Sequence, residues 1–304
     1  MGTPVDVREV ATGLKFPEGP IAMPDSSVLV VEIRRGTLSR CGADGTVEVV
    51  ADLGGGPNGA AIGPDGACYV ANNGGFLWSE HDGMLIPFDL KTMSNQPADF
   101  GGGWINRVDL ETGEHSVLYK ECNGFAFRGP NDIVFDADGG FWFTDFGKSR
   151  AHDTDRGGLY YATVDGKSVV QVARGLLGPN GVGLSPAGDR VYVAESYTGR
   201  LNAWDVTGPG KVANPMATVV EATKGHFDSL AVEAGGVVVV AAIGEGLCVV
   251  QVDGGGHEYV ALPDRFTTNV CFSGDDMRTA YATLSGTGRL VALDWPRPGL
   301  ELAF

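Results

Sequence analysis

Gly129-Pro130-Asn131-Asp132-Ile133-Val134-Phe135-Asp136-Ala137-Asp138-Gly139-Gly140-Phe141-Trp142-Phe143-Thr144-Asp145 decides the fold. It opens on a Pro-Asn pair, runs into an apolar stretch, breaks at an Asp/Gly turn and resumes as an aromatic stretch. Short apolar runs bounded by Gly, Pro and Asp read as antiparallel strands joined by a tight turn. The same phrase recurs along the chain. Its opening is matched at Phe16-Pro17-Glu18, Gly56-Pro57-Asn58, Gly178-Pro179-Asn180, His226-Phe227-Asp228 and Thr267-Thr268-Asn269, giving six copies.

Each copy continues alike, with turns such as Pro64-Asp65-Gly66 and Pro186-Ala187-Gly188 followed by a second strand, then third and fourth strands. Six units of four strands predict an all-β, six-bladed β-propeller spanning residues 1–304 as a single domain. The sixth unit has only three good strands, ending near Trp295. A lone strand around Val5, Arg8 and Val10 precedes the first unit, so pairing the two closes the ring.

The composition agrees. Forty-seven glycines and sixteen prolines suit turns between many short strands, and 43% hydrophobic residues supply a core. The formal net charge of -16 disfavours nucleic acid and anionic membrane partners. The first residues carry no basic, then apolar, leader pattern, and no stretch is long enough to span a bilayer, so a cytoplasmic protein is expected. Five cysteines without ligand spacing are expected to be buried, reduced thiols.

The copies recur roughly every forty to fifty residues, but the step from Asn58 to Asn131 is much longer. The excess is an insertion in blade two at about 74–103, rich in Gly, Phe, Trp and Pro rather than charge. A loop of that length and composition is expected to act as a lid.

In a propeller the first strand of every blade lines the axis. Glu18, Asn58, Asn131, Asn180, Asp228 and Asn269 then form a ring of two carboxylates and four amides. Oxygen donors with two negative charges suit a hard divalent cation, Ca²⁺ first, then Mg²⁺ or Mn²⁺, with Zn²⁺ and Fe²⁺ as further alternatives. The competing reading, amides as ordinary turn residues, is favoured for Asn58 and Asn269.

Phe16-Pro17-Glu18-Gly19-Pro20, Pro130-Asn131-Asp132 with Phe141-Trp142-Phe143-Thr144-Asp145, Pro179-Asn180-Gly181 and Phe227-Asp228-Ser229 resemble the gluconolactonase/regucalcin (senescence marker protein) family of calcium-dependent lactonases, related in fold to diisopropylfluorophosphatase. The likeness runs through all six repeats. It implies that Glu18, Asn180 and Asp228 bind the metal, with Asn131 either a fourth ligand or a substrate contact. Two features depart from the family pattern: Ser229 follows Asp228 where Gly is usual, and the insertion is long and apolar.

These readings point to hydrolysis of a small lactone, sugar-type or a related cyclic ester. A polarised carbonyl would be attacked by water, with Asp228 as the candidate base and Glu18 as the second carboxylate of the catalytic pair. Residues after each second strand share the same rim: Glu32, Arg34, Asn72, Asn73, Asp145, Glu195 and Tyr197. Candidate substrate contacts are Arg128, Asn131, His226, Tyr197, Asp145 and Trp78, with Phe76, His81 and Phe88 as further wall residues; Asp145 paired with Arg150 or Lys148 is an equal reading. The alternatives are a phosphotriesterase-like hydrolase on the same metal site and a non-catalytic calcium-binding propeller. No GxSxG, phosphate-binding Gly loop or HExxH is present.

Overall fold

The computed structural model describes residues 3–213, 216–222 and 224–304; Met1, Gly2, Asn214, Pro215 and Thr223 lie outside the described residues. Six sheets of mainly antiparallel strands carry the fold, and no helix occurs among the described residues. Blade one is Pro17–Ala22, Val28–Glu32, Thr37–Cys41 and Val47–Asp52. Blade two is Pro57–Ile62, Cys68–Asn72, Trp104–Val108 and His115–Tyr119. Blade three is Pro130–Phe135, Phe141–Asp145, Gly157–Ala162 and Val169–Leu176. Blade four is Pro179–Leu184, Arg190–Glu195, Arg200–Gly208 and Ala217–Glu221, and blade five His226–Val232, Val238–Ile243, Gly246–Gln251 and Gly256–Ala261.

Blade six takes three strands from the end of the chain, Thr267–Ser273, Thr279–Leu284 and Arg289–Asp294, and its outer strand from the beginning, Arg8–Ala11. The expected ring closure is therefore present. The N-terminal segment also does something unexpected: Thr3–Pro4 pairs in parallel with blade five at Val260 and Ala261. One short segment clasps two blades. The six inner strands neighbour one another in a closed circle, blade six against blade one.

The core is divided into six inter-blade clusters. Because successive strand side chains point to opposite faces, Phe141 and Phe143 pack against Tyr69 of blade two, whereas Trp142 between them packs with Val191 and Trp204 of blade four. Both faces are covered, which is why these strands read as unbroken apolar runs. Four of the five cysteines are buried in these layers, and all five are free thiols.

A bulge interrupts every inner strand near its start. The register against the second strand slips between Glu18 and Ile21, Pro57 and Gly59, Pro130 and Ile133, Pro179 and Val182, Phe227 and Leu230, and Thr267 and Asn269. A bulge leaves a residue out of the ladder and re-aims its side chain. The six bulges fall at the level of the ring residues.

Candidate metal centre and its roof

The ring residues are buried: Glu18 is 2% exposed, Asn131 4%, Asn180 5% and Asp228 7%. In blades two and four the neighbouring inner strand approaches too closely for a side chain at the position after the ring residue. A Cβ on Gly59 would lie 2.5 Å from the Asn131 carbonyl oxygen, and one on Gly181 2.7 Å from Leu230 N. Glycine after the ring residue is thus a packing requirement in blades two and four.

Three carboxylates share the axis, and one of them, Asp132, escaped the sequence reading because the repeat pattern places glycine there. Asp132 Oδ1 accepts from Ile133 N–H at 3.0 Å and Oδ2 from Val182 N–H at 3.1 Å, bridging blades three and four. Burial raises Glu18 and Asp132 each to about 7. Burial, followed by the charge of Glu18, holds Asp228 well above the ordinary carboxylate range. Among the described residues none of the three has an ion-pair partner. Without a cation these carboxyl groups resist ionising together.

The amides divide by function. Asn58 donates to the Asn131 carbonyl at 3.2 Å and accepts from Asn73 Nδ2 at 3.1 Å, while Asn269 donates to Glu18 Oε2 at 2.9 Å and accepts from Val270 N–H. Both therefore brace neighbours. Asn180 donates to Ser196 Oγ at 3.1 Å and receives only a long 3.5 Å contact on Oδ1 from Ser229. Asn131 Oδ1 is buried with no hydrogen-bond partner. A buried orphan acceptor is costly and calls for an explanation, and a cation at the axis supplies one.

Among the described residues no group of three or more His, Cys, Asp or Glu is arranged to hold a metal. Any ion here would rest on Glu18 and Asp228 with the amide oxygens of Asn131 and Asn180. That all-oxygen set fits a hard cation such as Ca²⁺ and lacks the nitrogen and sulfur donors that zinc prefers.

The expected second-strand residues share the level but serve the backbone. Glu32 accepts from Lys15 N–H, Asn72 from Gly56 N–H and Glu195 from Leu177 N–H. The Asp145 carboxylate takes the N–H groups of Arg128, Gly129 and Gly147, which fixes the turn before blade three. Arg150 pairs with Asp153 and Asp155, not with Asp145.

The insertion is a roof anchored at both ends. Asn95 and Ser149 of blade three exchange hydrogen bonds, Asn95 N–H to Ser149 O at 3.0 Å and Ser149 N–H to Asn95 Oδ1 at 2.8 Å. At the other end the hairpin Ser79–His81/Met84–Ile86 reaches blade six, where Leu85 N–H donates to Gly286 O at 2.9 Å. Between them Trp78 packs edge-on against Phe76 and Phe16, and Phe16 against Phe266. Phe16 holds a left-handed φ of 59° immediately before Pro17-Glu18, a strained conformation of the kind stored at functional sites. His81 faces outward beside Asp82.

The remaining predicted contacts lie beside the roof or at the exposed edge of blades four and five. Tyr197 OH meets Ser149 Oγ at 2.7 Å, its ring packs on Phe146, and it is 44% exposed. His226 is exposed, with Nδ1 3.1 Å from Ser196 O. Arg128 pairs with Asp155, donates to Gln96 of the roof at 3.0 Å and lies over the Phe100 ring. Lys148, named from the sequence only as a possible partner of Asp145, turns its amino group to the roof at Gly75 O instead.

Residues 16–286 match the sequence model of the SMP-30/Gluconolactonase/LRE-like region. The chain is 26% identical to a gluconolactonase of Zymomonas mobilis over 212 residues, covering 67% of this chain and 55% of that protein. It is 36% identical to lactonase drp35 of Staphylococcus haemolyticus over 124 residues, 40% of this chain and 37% of that one. The matches thus span about half or less of these relatives' length. Among solved structures, a gluconolactonase from Xanthomonas campestris superposes with a TM-score of 0.76 at 20% identity, over 96% of this chain and 90% of that chain. Regucalcin from Agrobacterium tumefaciens, a calcium-binding protein, gives 0.74 at 19% over 99% of both. At such identities these two likenesses establish the shared fold.

Proposed function

The chain belongs to the SMP-30/gluconolactonase/LRE-like family, and from that premise we propose that it is a divalent-metal-dependent lactonase, hydrolysing a small cyclic ester at the roofed end of the propeller axis. The observation that carries this is the meeting of buried, unpaired Glu18 and Asp228 beside the orphaned Asn131 Oδ1. Glu18, Asn131, Asn180 and Asp228 would hold the cation. When bound, that cation supplies Lewis acidity to polarise the lactone carbonyl and stabilise charge on its oxygen.

Asp228 would accept the proton lost by the attacking water as its oxygen bonds to the carbonyl carbon. The ring carbon–oxygen bond then breaks, and the proton returns to the departing alkoxide, giving a hydroxy acid. Glu18, held by Asn269 and the Gly19 N–H, would supply the second carboxylate to hold the ion. The roof excludes bulk water on one side, while Arg128, His226 and Tyr197 stand where a substrate would enter. Trp78 offers an aromatic wall.

The test is calorimetric titration of metal-stripped protein with Ca²⁺, Mg²⁺ and Mn²⁺, followed by assay of each form against aldonolactones and substituted lactones. Turnover that disappears on chelation and returns with one of these ions supports the reading. Tight binding with no turnover of any lactone or ester favours a calcium-binding module instead.

A further inference from the structure

Lysine is almost never fully buried without a carboxylate, yet Lys148 is 1% exposed and, among the described residues, has no ion-pair partner. Its Nζ donates to Gly75 O at 2.7 Å and Asn73 Oδ1 at 3.3 Å. It also lies 4.2 Å from the centre of the Phe76 ring and 5.1 Å from that of Phe100. Gly75, Phe76 and Phe100 all belong to the roof. A side chain from blade three therefore grips both roots of the insertion.

The same amino group heads a chain of amides running down to the ring. Asn73 Oδ1 also accepts the Gly75 N–H at 2.8 Å, so the Asn73 amide has one orientation, oxygen toward the roof and Nδ2 toward the floor. Nδ2 donates to Asn58 Oδ1, which leaves Asn58 Nδ2 to donate to the Asn131 carbonyl. Every link has the same polarity, fixed at the head by a donor. The last link ends on the residue whose Oδ1 is orphaned. Gly56 makes room for the relay, since a Cβ there would lie 2.5 Å from Asn73 Oδ1.

Building on the proposed cation site, we infer that Lys148 is a positioning residue that couples the seating of the roof to the aim of Asn131 at the axial ring. With Lys148 in place, roof and ring form one hydrogen-bonded unit. Without it, the insertion loses its aromatic and carbonyl anchor, and the Asn73-Asn58 relay loses its head.

The experiment compares Lys148→Met, Asn73→Ala and the double variant by calcium calorimetry and by chymotrypsin cleavage within 76–93. Lys148→Met is expected to weaken calcium binding roughly 10- to 100-fold, the usual consequence of removing a group behind a metal ligand, and to expose the insertion to cleavage. Asn73→Ala is expected to weaken calcium with less cleavage. If the two act through one relay, the double variant binds calcium no worse than Lys148→Met alone.

Unchanged calcium affinity in Lys148→Met, or losses that simply multiply in the double variant, overturns the inference. Should Lys148→Met fail to fold, Asn73→Ala decides it, because unchanged affinity there breaks the relay. A wild-type chain that binds calcium but opens no lactone refutes the proposed reaction and leaves this coupling standing. A wild-type chain that binds no calcium refutes both.

Discussion

Asn269 Nδ2 donates to Glu18 Oε2 at 2.9 Å across 251 residues of chain. The last blade thus holds the first blade's carboxylate in place. With the Gly19 N–H on the same oxygen, that bond makes the orientation of Glu18 depend on the closed ring as well as on its own strand.

Replacing Asn269 by Ala should therefore loosen Glu18. Removing a partner from a buried charged acceptor costs about 1–3 kcal/mol, and calcium affinity should fall by about tenfold. Urea denaturation and calcium calorimetry measure the two effects, and an unaltered affinity would show that Glu18 needs no brace.

Asp228→Ala removes both a ligand and the proposed base. Turnover should fall by about 10²- to 10⁴-fold, the range typical of general acid–base catalysis, together with loss of tight calcium binding. A variant retaining full lactone turnover would falsify the assignment.

Gly59→Ala tests the packing of the ring without touching its donors. The added methyl would meet Asn131 O at 2.5 Å and Asp132 Cα at 2.6 Å, and overpacking of this kind costs about 1–3 kcal/mol. The denaturation midpoint should drop accordingly, while alanine at exposed-turn Gly188, whose Cβ meets nothing within 4 Å but whose φ is 68°, should cost only backbone strain.

Trp78→Ala opens the aromatic wall against Phe16 and Phe76. If that wall binds substrate, KM should rise by about tenfold with kcat little changed. A loss confined to kcat would assign Trp78 to the chemistry instead.

Lys148 gives a pH signature. Burial holds its folded-state pKa well below the ordinary lysine value of 10.5, so the unfolded chain binds the proton more readily. Its contribution to stability consequently rises with pH from the depressed folded value up to the unfolded one. Measured between pH 7 and 10 (roughly the upper part of that window), the stability of wild type relative to Lys148→Met should improve as pH increases. A pH-independent difference would contradict the burial of an ionisable amine.

The architecture was legible because a propeller repeats one physical problem six times. Pro130-Asn131 and Pro179-Asn180 announce the inner strands, and the alternation of Phe141, Trp142 and Phe143 between two interfaces explains the unbroken apolar runs. Glu18, Asn131, Asn180 and Asp228 lie at one level for the same reason, since a fixed place in a repeat is a fixed height on the axis, while their choice as cation donors came from the family resemblance. Asp132 was missed because it breaks the repeat, filling a glycine position to cap a neighbouring blade. The hold of Asp145 on its turn was not legible, because its three N–H partners are backbone groups, which leave no trace in residue identities. Lys148 was read only as a possible partner of Asp145, and its hold on the roof was not legible because Gly75 lies 73 residues away in an insertion that the repeat does not govern.

The pairing of Arg8–Ala11 with Arg289–Asp294 also sets an order of events in the cell. Blade six lacks its outermost strand until the two far regions of the chain find each other, and contacts of such long sequence separation form slowly. Until then Arg289–Asp294 is an open ladder edge, the kind of template that recruits strands from other molecules. Inclusion-body formation should therefore be sensitive to changes near Arg8–Ala11 that leave the axial ring untouched.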